Sequence, residues 1–206
     1  MLPAMTLDPT RTAVLALHWQ VNVIEPDGFF GGLLAAPVAA SGVVGRASAF
    51  HDAVRRLGVG VFFTRFTIPE GEGALVRNTG FMTAVAGAQE SFRPDAPGAA
   101  LIDAMTVGER DLVVDNQRLS GLAASPLPDK LTERGIDTLL VTGVATNLTV
   151  EQTARHGTDL GFTVHVVSDC VTAADEATHQ ASLANLELTT AGCLDAEQAL
   201  GRMTTA

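Results

Sequence analysis

The sequence predicts an α/β protein, a three-layer α/β/α sandwich around a mostly parallel sheet of five or six strands. Five short apolar runs rich in Val, Leu and Phe recur along the chain, each bounded by turn residues, as strands covered on both faces are. Helical patterning fills the stretches between them, which implies βαβ units with right-handed crossovers. The 206 residues suffice for one domain with a substantial core, and no internal repeat or second-domain pattern interrupts them, so a single domain over 1–206 is expected.

The strands are read at "TAVLALH" (12–18), "GVGVFFTR" (58–65), "RDLVVDN" (110–116), "DTLLVTG" (137–143) and "FTVHVVSD" (162–169), with a weaker sixth near "TTAGCLD" (189–195). Helices are expected at 38–58, 98–106, 127–135, 147–161 and 176–187. The Gly/Pro-rich piece from Pro69 to Pro97 is read as an irregular loop covering one end of the sheet.

Composition narrows the function classes. A net charge of −10 argues against nucleic acid or an anionic membrane as partner, because phosphate binding needs clustered Lys and Arg. A small molecule is the expected ligand. Lys130 is the only lysine, which leaves none for catalysis elsewhere. Cys170 and Cys193 are too few and too irregularly placed for a disulfide framework or a zinc knuckle, and read as reduced thiols. "MLPAMTLDPTR" lacks a basic region followed by an apolar run, and no apolar stretch reaches about 18 residues, so a cytoplasmic protein with no membrane partner is expected.

Ligands of such sheets bind at the carboxyl ends of the strands. The candidate residues there are His18, Trp19 and Gln20 after the first strand and Arg65 after the second. Asn116, Gln117 and Arg118 follow the third, and Thr146, Asn147 and Thr149 follow the fourth.

Read together, these strand ends resemble the isochorismatase-like cysteine hydrolase superfamily. The motifs that carry the resemblance are "TAVLALHWQ", "VVDNQRLSGLAASPL" and, above all, "GIDTLLVTGVATNLTVEQTARHGTDLGFTVHVVSD", and the likeness runs from about Thr12 to Leu200. The resemblance implies the isochorismatase-like hydrolase fold and assembly as a homodimer or homotetramer. It also implies an Asp, Lys and Cys triad, but His18, Asn116 and Thr149 stand at those three positions. Thiolate attack on an amide therefore cannot be carried over. The family's metal-binding pattern is missing after the second strand, where the text is "TRFTIPEGEG", so no metal and no cofactor are expected.

The replacements can all hydrogen-bond, whereas decay tends to leave Ala, Gly or Val in a pocket, so reuse of the site is favoured. His18 is the expected acid or base, since an imidazole titrates near neutrality. Asn116 and Thr149 complete the expected catalytic set, with Trp19, Gln20, Arg65, Arg118 and Asn147 expected to bind substrate. The leading expectation is a non-covalent acid–base enzyme, of hydrolase or lyase/cyclase type, acting on a small anionic metabolite held by arginine. Two alternatives stand beside it. One is a catalytically inactive small-molecule-binding or assembly protein, and the other is a covalent hydrolase using Thr149 activated by His18.

Overall fold

The computed structural model describes residues 6–203. Its centre is a six-stranded, wholly parallel sheet in the order β3-β2-β1-β4-β5-β6. The strands are β1 (Thr12–Leu17), β2 (Gly60–Phe66), β3 (Leu112–Asn116), β4 (Thr138–Val144), β5 (Thr163–Thr172) and β6 (Cys193–Leu194). All six residues of β1 are buried, as expected of a central strand with helices on both faces. The weak sixth strand is real but only two residues long, since it pairs along one edge alone.

The helices are α1 (Val21–Ile24), α2 (Gly31–Ser41), α3 (Val43–Arg56), α4 (Gly80–Gly87), α5 (Leu127–Glu133), α6 (Glu151–Asp159), α7 (Glu176–Thr189) and α8 (Ala196–Arg202). One apolar cluster lies on each face of the sheet. A third, Phe66, Ile68, Met82, Val85 and Phe92, sits over the carboxyl ends of the strands.

Two helical expectations and one loop expectation need correction. The stretch 38–58 is not one helix, because Gly42 (φ 66°) is left-handed, ends α2 and starts α3 at a 66° bend. The stretch 98–106 is not a helix: its backbone is spent on the segment after β1, with Val21 N donating to Ala100 O and Ile102 N donating to Trp19 O, each at 3.0 Å. The 69–97 segment does cover the sheet end, but it carries α4, whose N-cap Thr79 accepts from Met82 N, and a 3-10 turn at Gln89–Phe92. The helix after β4 begins with a wider turn, Thr146–Val150, before becoming α6. Among the described residues no single helix is long and apolar enough to cross a membrane.

The strand order reverses direction between β1 and β4, and a crevice is expected outside the carboxyl ends of those two strands. β1 and β4 approach closely there. A Cβ on Gly143 (φ 142°) would lie 2.4 Å from the Leu17 carbonyl oxygen, so only glycine fits. This contact fixes where the chain leaves β1, and the next residue is His18.

Candidate active site

His18 leaves β1 with φ 53°, a conformation uncommon outside glycine, and its N–H donates to Thr64 O at 3.1 Å. The side chain is buried, with Nε2 3.3 Å from Asn116 Oδ1. Asn116 is itself oriented by donating through Nδ2 to Arg118 O (2.6 Å) and Ser120 O (3.3 Å). Those two carbonyls leave Oδ1 as the amide's free end, an acceptor. His18 Nε2 therefore carries the proton, and Nδ1, which has no hydrogen-bond partner among the described residues, keeps its lone pair. Burial pushes the imidazole pKa down to about 4, the bond to Asn116 opposing it weakly. His18 is neutral at pH 7.

Thr149 lies in the wide turn after β4. Its Oγ1 donates to Leu119 O at 2.8 Å, and no hydrogen bond joins it to His18. A carbonyl is not a base, so the hydroxyl is held but not activated.

His18 and Thr149 border one cavity of about 100 Å³, with Asn147 at its exposed edge. The remaining lining is apolar and includes Val23, Phe30, Leu34, Phe81, Leu119 and Val144. A second hollow of about 40 Å³ shares His18, Phe30, Phe81 and Leu119 and reaches back to Phe66 and Phe92. Among the described residues no charged side chain lines either space.

The other expected binding residues are placed elsewhere. Trp19 follows His18 onto the opposite side, fully buried in the core, edge-on to His51 and 3.5 Å from Thr142 Oγ1 through Nε1. Gln20 is also fully buried. Its amide donates to Phe66 O and Ala99 O and accepts from Phe66 N, tying β2 to the covering segments. Arg65 sits directly across the β2–β3 ladder from Asp115 and forms a two-pronged ion pair with it at 2.7 and 2.9 Å. Arg118 borders a separate hollow beyond Leu119. The sequence reading missed the apolar wall, although "FFGGLL" (29–34), a cluster after a Pro-Asp-Gly turn, was a usable signal. No group of three or more His, Cys, Asp or Glu among the described residues is placed to hold a metal.

The isochorismatase domain family matches residues 12–198, nearly the whole chain. The chain belongs to the isochorismatase family. Among relatives of this family member, the ureidoacrylate amidohydrolase RutB of Methylobacterium radiotolerans is 42% identical over 89 residues, 43% of this chain and 34% of that protein. The match thus spans about a third of that relative's length. An uncharacterized isochorismatase family protein of Bacillus subtilis, YwoC, is 26% identical over 184 residues, 89% of each chain. A cysteine hydrolase from Pseudomonas syringae pv. phaseolicola superposes with a TM-score of 0.84 at 23% identity, covering 98% of both chains. N-carbamoylsarcosine amidase from Thermoplasma acidophilum does so with a TM-score of 0.71 at 21% identity, over 91% of this chain and 97% of that one. These two likenesses carry the fold.

Proposed function

We propose that this family member takes a small, uncharged, largely apolar molecule into the cavity and acts on it without a covalent intermediate, with His18 Nδ1 as the proton acceptor. The observation that carries this reading is the orientation of Asn116: its Nδ2 donates to two carbonyls, which turns Oδ1 to His18 Nε2, assigns the proton there and leaves the Nδ1 lone pair without a partner among the described residues. Nδ1 is suited to take a proton from a water or from an O–H, N–H or C–H group of the ligand, and the Nε2–H bond to Asn116 strengthens as the imidazolium forms. Hydrolysis by an activated water and proton abstraction followed by elimination both fit this role. Acid catalysis fits poorly, since a group with a pKa of about 4 is protonated in roughly one molecule in a thousand at pH 7.

The ligand's charge follows from the lining. An anion would enter an apolar space with no cation to meet it, at a large desolvation cost. The two adjoining spaces approach the cavity of about 150 Å³ that takes up benzene, which sets the scale of the ligand.

Binding without turnover is the second reading, and the pKa of about 4 favours it. A base well below the working pH is a weak one, and its contribution falls at the low end of the 10²–10⁴ range for acid–base catalysis. The test is a panel of small neutral amides, esters and enol ethers assayed for binding and for turnover. Under the first reading, His18→Ala lowers turnover at least about a hundredfold while Thr149→Ala stays active. Saturable binding with no turnover supports the second reading. An acyl adduct on Thr149 seen by intact mass defeats both.

A further inference from the structure

We infer that the hollow beyond Leu119, built around Arg118, is a binding site for a small oxyanion, separate from the cavity at His18. Among the described residues, six of the twelve arginines (Arg11, Arg55, Arg65, Arg77, Arg93 and Arg155) each sit on a carboxylate. Arg118 does not: it forms no ion pair and no side-chain hydrogen bond with the described residues. Its Nε is out of contact with water and has no acceptor. A partly desolvated guanidinium with nothing to answer its charge is costly, and an anion on the terminal amino groups would relieve that cost.

The surroundings fit the same ligand. The hollow measures about 430 Å³, and its lining includes no Asp or Glu. Asn78, Thr79 and Gln152 stand exposed on its rim with amide and hydroxyl groups. The Thr79 oxygen accepts from Met82 N, so its own proton is free to donate. The main chain of Arg118 is held by Asn116 Nδ2 at 2.6 Å, so the guanidinium extends from a fixed point. Carboxylate and phosphate both present two oxygens to the paired terminal nitrogens, and this shared chemistry defines the ligand. The site does not depend on the reading of the His18 cavity, with which it shares only Leu119.

The experiment is titration of the whole protein with sodium acetate and with inorganic phosphate, followed by thermal unfolding against sodium chloride at matched ionic strength. The site predicts a saturable stabilisation beyond chloride. A response to acetate assigns a carboxylate ligand, and a response to phosphate alone assigns a phosphate one. Arg118→Gln weakens the apparent affinity by roughly tenfold or more, while Arg56→Gln, an exposed arginine on α3, leaves it unchanged. His18→Ala keeps the anion response, which separates this site from the cavity. If Arg118→Gln does not fold, Arg118→Lys replaces it, with weaker binding supporting the site and wild-type binding opposing it. No response beyond chloride, an undiminished response in Arg118→Gln, or loss of the response in His18→Ala overturns the inference.

Discussion

The strand-end side of the cavity carries its polar groups and is held by sheet pairing, whereas the wall that covers it is aromatic and held largely by side-chain packing. His18, Asn116 and Thr149 stand at the carboxyl ends of β1, β3 and β4, each fixed by a hydrogen bond to a carbonyl or an amide. Facing them, Phe30 stacks on Phe81 with centroids 5.6 Å apart and planes 7° from parallel, while Phe92 meets Phe29 and Phe66 edge-on. The first wall determines what chemistry is available. The second determines what size and polarity of molecule can be present when it happens.

The sharpest way to break the strand-end wall is Gly143→Ala. The new Cβ has backbone, not a flexible side chain, within 2.4 Å, so β1 and β4 must separate. A loss of about 3 kcal/mol or more is expected in chemical denaturation, with His18 displaced.

Acid tests the same wall through His18, alongside the buried imidazole of His51, which lies on α3 against Trp19 and outside this wall. The folded-state pKa of His18 is lowered to about 4 and that of His51 to about 3, both by burial, so the unfolded chain binds more protons below its own pKa of about 6.5. Stability is therefore full above about pH 6.5 and falls as the pH drops toward these values, His18 alone contributing about 3 kcal/mol. In His18→Gln the slope of stability against pH between 4 and 6.5 becomes shallower, leaving the part due to His51, His165 and His179, whose pKa values burial also lowers. An unchanged slope would mean that His18 is not buried neutral.

The covering wall responds differently. Phe81→Ala removes one member of the stacked pair and joins the two hollows, at a cost of about 1–2 kcal/mol because Phe81 is only partly buried. Ligand preference shifts toward larger molecules, read as the ratio of affinities across a series of increasing size.

How much of each wall the sequence discloses follows from the same contrast. Strand ends are legible because a fully covered strand must be a short apolar run, and the residue after it then sits at the sheet's edge. His18, Asn116, Asn147 and Thr149 were found this way. The same rule also brought in residues that do not face the cavity. Trp19 and Gln20 adjoin His18 in sequence yet are buried away from the cavity in the core, and Arg65 is spent on Asp115 through a strand register that no single strand reveals. The covering wall was hidden because its helices are short and start within Gly/Pro-rich text. For α4 the readable mark is Thr79 as a cap. The expectation of an anionic ligand in the cavity followed from placing Arg65 and Arg118 there, and it goes with them.

Smaller effects sharpen the picture. Thr149→Val keeps the side-chain shape but removes the bond to Leu119 O, so about 1 kcal/mol of stability is lost and turnover, measured on a substrate from the panel, falls less than about tenfold. Arg65→Gln costs under about 1 kcal/mol, since its ion pair is partly exposed, and leaves cavity binding unchanged.

The central claim is that His18 is neutral, with its proton on Nε2 and a lone pair at Nδ1. ¹⁵N-resolved NMR of the histidine side chains, titrated from pH 8 to pH 4.5, tests it directly. The account predicts that the His18 signals keep the Nε2–H pattern with an unprotonated Nδ1 throughout most of that range, with titration setting in only near pH 4. A proton on Nδ1, or a midpoint above pH 6, would contradict it.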